Sequence, residues 1–400
     1  MIKFWSYKRE YKKNKNSIIK LINSSLNSGA TFFGKNLINF EKNFLKKNRS
    51  KYGCAVGSGT DAILIALISI GIKKGDEVIT VSNTAIPTIS AIISSGATPV
   101  LVDANIDDYL INPNLIEEKI TLKTKAIIPV HLYGQAANMK KIINIAKKYK
   151  LKVIEDCAQA QGAKYKGALV GTIGDFGCFS FYPTKILGAY GDGGFITVKN
   201  KISHDKIKRI RFYGIESGNK SNRFNKKYYA NEYGINSRID EIQSAILNYK
   251  LKKVSMYIKR RREIAKIYKN RLVGKYLILP KENSYNFHVY HLFTLYHKKS
   301  KNIIEQLNKN KIETRKIYPY PINQMKGFKK YKFDKRNYLI SEKLSKNIFC
   351  LPLYPEMKNN EILYICKKLN EIIKKNKNMK FFKKKPKKFL KIQEIYKDYF

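Results

Sequence analysis

Between residues 52 and 198 short apolar runs alternate with helix-length segments, and this alternation restricts the fold more than any other feature. Strand candidates fall at 52–56, 77–81, 99–102, 126–131, 153–155, 178–181 and 195–198. Helices are expected at about 61–70, 84–95, 115–120 and 139–149. Parallel neighbours need a long crossover, usually helical, whereas antiparallel neighbours need only a turn. The spacing therefore predicts an α/β core, a mostly parallel sheet covered by helices on both faces. In such sheets ligands bind at the carboxyl ends of the strands.

Two of these ends carry chemistry. The run FGCFSFYP (176–183) reads as a buried strand broken by Pro183, and Lys185 follows it. Gly188, Gly191, Gly193 and Gly194 come next and permit close backbone approach or a sharp turn. A lysine desolvated at the exit of a buried strand has a lowered pKa and can attack a carbonyl. The strand ending VIED (153–156) would project Asp156 into the same crevice. A lysine for an aldehyde and an aspartate for a pyridinium nitrogen are the two protein groups that pyridoxal phosphate requires. The plainer reading of Asp156 is a helix N-cap. Gly57–Thr60 (GSGT) turns into a helix, so the N–H groups of Gly59 and Thr60 are candidates for a phosphate. The plainer reading there is again an N-cap turn.

Taken together, GSGTDAILIAL (57–67), GDEVITVSNTAIPTISAIISSGATPVLVDA (75–104), AIIPVHLYGQAANM (126–139), VIEDCAQAQGA (153–163), GDFGCFSFYPTKILGAYGDGG (174–194), YGINSRIDEIQSAIL (233–247) and LPLYPEM (351–357) resemble the DegT/DnrJ/StrS family of sugar aminotransferases. The resemblance implies a fold-type I enzyme, with a mostly parallel seven-stranded sheet and a smaller C-terminal α/β domain. It implies that Lys185 holds pyridoxal 5′-phosphate as a Schiff base and serves as general acid and base, passing through pyridoxamine phosphate. Asp156 would partner the ring nitrogen, Gln159 the 3-oxygen and Ser180 the phosphate. Asn236 would reach the phosphate from a neighbouring subunit, making a homodimer. For Gln159 and Ser180 a satisfied buried polar group is the alternative, and for Asn236 a helix cap. The implied reaction moves an amino group from glutamate to a nucleotide-linked keto-6-deoxyhexose, at C3 of a dTDP-sugar rather than C4. A role in lipopolysaccharide or another surface polysaccharide follows from the same resemblance. The chain departs from the family at Asn323 and Gln161, where histidines are common, and at Ala85, where an aromatic ring often stacks on the cofactor.

The expected organisation is an arm and helix (1–30), a large cofactor-binding domain (31–248), a linker helix with a small domain (249–375) and a lysine-rich tail (376–400). Within this, residues 200–230 read as a polar loop, 248–271 as one long helix and 285–297 as a strand. The formal net charge of +49 points toward anionic partners, but the lysines are spread along the chain and no nucleic-acid reading motif is present. Nucleic acid is therefore not the expected partner, whereas nucleotide sugars are. Membrane contact by the tail is a sharper alternative to a solvated appendage. The five cysteines are odd in number, lack metal-ligand spacing and read as reduced core residues. With no apolar leader at the N-terminus and no run long enough to span a bilayer, a cytoplasmic protein is expected. Rival readings are a sugar dehydratase, against which Lys185 argues, and a dead binding fold, against which Lys185, Asp156, Ser180 and Asn236 argue together.

Overall fold

The computed structural model describes residues 1–215, 229–274 and 276–378. In chain order they form α1 (Tyr7–Asn27), α2 (Lys35–Asn48), β1 (Tyr52–Val56), α3 (Gly59–Ser69), β2 (Glu77–Val81), α4 (Ile86–Ser94), β3 (Thr98–Val102), β4 (Thr124–Ile128), α5 (Met139–Lys148), β5 (Lys152–Asp156), β6 (Lys164–Tyr165) and β7 (Ala168–Leu169). Then follow β8 (Phe176–Ser180), β9 (Gly194–Val198), α6 (Lys201–Ile210), α7 (Glu241–Leu251), α8 (Val254–Arg271), β10 (Asn286–Phe287), β11 (Phe293–Tyr296), α9 (Ser300–Lys309), α10 (Leu339–Asn347), β12 (Ile348–Leu351) and α11 (Asn359–Asn378).

The main sheet has seven strands in the order β1-β9-β8-β5-β4-β2-β3. Strands β3, β2, β4, β5 and β8 run parallel, and β9 lies antiparallel between β8 and β1. Strand order reverses between β2 and β4, the position at which an α/β sheet opens a crevice.

Neighbouring residues of each strand go to opposite faces, as the pleat requires. Ile79, Val102, Ile127, Val153, Phe179 and Phe195 pack into one core with α2. Their neighbours Val78, Leu101, Ile128, Ile154, Cys178 and Ile196 pack into a second core with α3 and α4. Burial on both faces is why these strands read as continuous apolar runs. The first core contains an aromatic cluster in which Phe44 lies 5.2 Å from Phe179 and 4.4 Å from Phe195, ring centre to ring centre. A third core joins α8, α9 and α11 to β11 and β12 through Tyr268, Phe293, Leu307, Phe349 and Leu369.

Buried carboxylates fasten the pieces. Glu241, the first residue of α7, accepts the N–H groups of Gly34, Asn36 and Leu37 at the start of α2. Asp103, just past β3, accepts from Ile340 N, Ser341 N and Ser341 Oγ of α10. Each supplies acceptors to helix N–H groups that have no partner within their own helix.

Four sequence expectations need correction. The stretch 115–120 forms two 3-10 turns, Pro113–Leu115 and Glu117–Lys119, the first capped by Asn112. The loop expected at 200–230 contains α6 at Lys201–Ile210, capped by Asn200 and burying Ile207 and Ile210; residues 216–228 lie outside the described residues. The single helix at 248–271 breaks after Leu251 into α7 and α8. The strand at 285–297 divides into β10 and β11, because Tyr290 between them takes a left-handed backbone conformation at φ 48°. The tail expected at 376–400 lies almost wholly outside the described residues. All five cysteines are buried and unpaired. No described helix is long and apolar enough to cross a membrane.

Candidate active site

Asp156 closes β5 and is buried. Its carboxylate is held on both oxygens: Thr88 Oγ1 in α4 donates to Oδ2 at 2.8 Å, and Ala158 N donates to Oδ1 at 3.1 Å. Each oxygen keeps a free lone-pair direction for a ligand. The preceding Glu155 is used structurally. It accepts from Gly171, Ile173 and Gly174 N–H and from His131 Nε2 at 2.9 Å. His131 Nδ1 accepts from Ala137 N, so the ring proton lies on Nε2 and points at Glu155.

Lys185 follows β8 on a turn in which its N–H bonds the carbonyl of Tyr182. Desolvation lowers its ammonium pKa, and the charge of Asp156 opposes that shift. The two groups predicted from separate strand ends therefore feel one another. The four glycines after Lys185 all keep φ outside the left-handed region. Close packing requires two of them to be glycine: a Cβ on Gly194 would lie 2.3 Å from Ser58 O, and one on Gly188 would lie 2.4 Å from Pro183 O.

Ser180 ends β8 against the start of α3. A Cβ on Gly59 would lie 2.6 Å from Ser180 Cβ, so the helix N-terminus and this hydroxyl meet only because residue 59 is glycine. Ser58 caps α3 by accepting from Asp61 N, leaving the N–H groups of Gly59 and Thr60 at the helix start beside Ser180. Helix dipole, N–H groups and hydroxyl together form an anion cradle.

Gln159 is buried and spans two other elements. Its Oε1 accepts from Tyr133 N at 2.8 Å and its Nε2 donates to Tyr318 Oη at 2.6 Å. One Nε2 hydrogen remains. Asn236 is exposed and pairs its backbone with Phe212; the cap of α7 is Asp240, not Asn236. Its neighbour Ser237 donates to Asp61 Oδ2 and accepts from Gly57 N, which seats this segment at the start of α3.

The three departures acquire distinct explanations. Asn323 is a strut, accepting from Ser82 Oγ past the end of β2 and donating to Glu342 Oε1 in α10. Gln161 is buried and donates from Nε2 to the Ser180 carbonyl. Ala85 is the N-cap residue of α4 and has no side chain that could cap it or stack on a ligand.

Thr88, Tyr133, Tyr318 and His291 were not identified from sequence. Thr88 lies inside an expected helix whose facing was not assigned. Tyr133 and Tyr318 have φ of 59° and 57°, unusual for bulky residues and absent as a sequence signal. His291 is buried with its Nδ1 unpartnered among the described residues, and burial followed by the charges of Lys185 and Arg261 holds its imidazole well below the usual histidine range. It belongs to the wall around Lys185.

A mostly parallel sheet, a lysine after β8, a carboxylate at the end of β5 and helix-start N–H groups beside Ser180 define a pyridoxal-phosphate-dependent enzyme of fold-type I. The chain belongs to the DegT/DnrJ/EryC1/StrS aminotransferase family, whose sequence model matches residues 12–370. It is 37% identical over 375 residues to a dTDP-3-amino-3,4,6-trideoxy-alpha-D-glucose transaminase of Micromonospora megalomicea subsp. nigra, covering 92% of this chain and 98% of that protein. It is 40% identical over 370 residues to a dTDP-3-amino-3,6-dideoxy-alpha-D-galactopyranose transaminase of Aneurinibacillus thermoaerophilus, covering 92% and 99%. Among solved structures, S. venezuelae DesV in complex with a ketimine intermediate superposes with a TM-score of 0.88 at 31% identity, covering 92% of this chain and 98% of that one.

Proposed function

We propose that this aminotransferase moves an amino group from glutamate to C3 of a dTDP-linked keto-6-deoxyhexose, as a cytoplasmic homodimer supplying an amino sugar for lipopolysaccharide or another surface polysaccharide. The observation that carries the reading is the convergence of Lys185 and Asp156 on one crevice beside the Gly59–Ser180 cradle. Regiochemistry and nucleotide rest on the named activities of the two relatives, both 3-amino dTDP-sugar transaminases.

Pyridoxal phosphate, when bound, supplies the electron sink that stabilises negative charge at the donor's α-carbon. Lys185 Nζ would hold its aldehyde and, once released, would serve as the base and acid that moves the proton from the donor's α-carbon. A lowered pKa suits this work, since the amine is neutral closer to working pH. Asp156 would partner the ring nitrogen and favour its protonated form, and Thr88 and Ala158 fix the carboxylate's orientation. Ser180 and the N–H groups of Gly59 and Thr60 hold the phosphate, with Asn236 of a second copy completing it. The remaining Gln159 Nε2 hydrogen serves the 3-oxygen.

The test is direct assay. Purified protein with pyridoxal phosphate, glutamate and a dTDP-3-keto-6-deoxyhexose should yield the amino sugar and 2-oxoglutarate, detected by mass spectrometry. Turnover of the 4-keto isomer in its place would move the reading to C4. No amino sugar from either ketone would refute it.

A further inference from the structure

A cavity of about 860 Å³ lies apart from the crevice of Lys185: neither Lys185, Asp156, Gln159 nor Ser180 lines it. It opens between the end of α2, one side of α8 and the segments around β6 and β10. Its volume falls within the range of small-molecule sites. The floor is apolar and buried, formed by Phe44, Phe179, Leu187 and Ile258.

The rim is cationic, with seven lysines and arginines against two carboxylates. Both carboxylates are already paired, Glu282 with Arg262 at 2.7 Å and Glu263 with Arg260 at 3.3 Å. Arg49, Lys164, Lys259 and Lys266 line the cavity without an ion-pair partner among the described residues. Burial lowers the pKa of Lys269 on the same rim, opposed by the charge of Glu282 and aided by that of Arg262. The wall also contains Gln161, whose buried Oε1 has no donor among the described residues. An unsatisfied buried acceptor is costly unless a ligand supplies the donor.

We propose that this cavity is a second ligand site, separate from the reaction crevice, and that it takes a nucleoside diphosphate. The apolar floor accepts a planar base, the unpaired rim cations accept the two phosphates, and a ring N–H of the base satisfies Gln161 Oε1. Gln161 Nε2 already holds the Ser180 carbonyl, so an occupant that re-aims this amide acts on the phosphate cradle from behind. Binding at this site does not depend on the transferase reading; only its effect on the cradle rests on that reading.

The test is calorimetric titration of the holoenzyme with thymidine 5′-diphosphate, with pyrophosphate and thymidine as controls, on wild type and on Lys259→Glu/Lys266→Glu. These lysines are exposed and take no part in the reaction. Wild type should bind one equivalent per chain more than the double variant, with sugar turnover unchanged by the substitutions. Two equivalents falling to one fits both sites; one falling to none keeps this site and refutes nucleotide binding in the reaction crevice. Identical stoichiometry and affinity in the two proteins overturns the proposal. Pyrophosphate binding as tightly as the nucleotide overturns the assignment to a nucleoside. Should the charge reversal impair folding, Lys259→Ala/Lys266→Ala replaces it, and affinity should then weaken about tenfold and fall with added salt, as expected for rim cations.

Discussion

Thr88 donates its hydroxyl proton to Asp156 Oδ2 across 2.8 Å, joining the first turns of α4 to the end of β5. The contact is buried, so losing it leaves an acceptor without its partner, at a cost of about 1–3 kcal/mol. Thr88→Val should therefore loosen the carboxylate that faces the ring nitrogen and lower kcat about tenfold, equivalent to ~1.4 kcal/mol of barrier. Thr88→Ser should restore most of the rate. A loss in Thr88→Ser with none in Thr88→Val would indicate a packing role for the methyl group instead.

Gly59→Ala places a methyl group 2.6 Å from Ser180 Cβ and 3.2 Å from Ser180 Oγ, where the neighbour is a strand and cannot swing aside. Overpacking of this kind costs about 1–3 kcal/mol. The expected result is a lower Tm and faster loss of cofactor on dialysis, because the start of α3 and the Ser180 hydroxyl are forced apart. Cofactor retention equal to wild type would place the phosphate elsewhere.

The pH dependence of cofactor capture follows from the charges around Lys185. Bonding to an aldehyde needs the neutral amine. Desolvation lowers the Lys185 pKa and so favours that form, whereas Asp156 raises it and favours the ammonium. Removing the carboxylate with Asp156→Asn removes the raising influence, so the pKa falls further. The rate of cofactor uptake by apo-protein should then reach its plateau at a lower pH than in wild type, even though later turnover is lost. A midpoint moved to higher pH would contradict the electrostatics described here.

Glu241→Ala should destabilise the protein by about 2–3 kcal/mol, since three N–H groups at the start of α2 lose their shared acceptor. Thermal or urea unfolding measures this. Glu241→Gln keeps one acceptor oxygen and should recover part of the loss.

The strand-helix alternation and the Lys185–Asp156 pair were legible because each strand is buried on both faces and its polar exit stands out against an apolar run. The architecture followed from that pattern, whereas the close approach of Gly59 to Ser180 did not. Thr88 was not legible: a threonine in a helix carries no mark of which carboxylate it will meet across 68 residues of sequence. Tyr318 and Tyr133 were hidden for another reason, since a bulky residue at positive φ contradicts local preference and is held there by tertiary contacts with Gln159. The helix α6 was masked by its polar composition, of which only Ile207 and Ile210 turn to the core.

The central claim, that Lys185 is the residue bonding the cofactor, is tested most directly by an absorbance spectrum of protein purified with pyridoxal phosphate, before and after adding glutamate, in wild type and Lys185→Ala. The wild type should show a visible band that glutamate bleaches, and the variant should lack it while remaining folded by circular dichroism. A wild type without the band, or a variant that keeps a glutamate-sensitive one, would contradict the account.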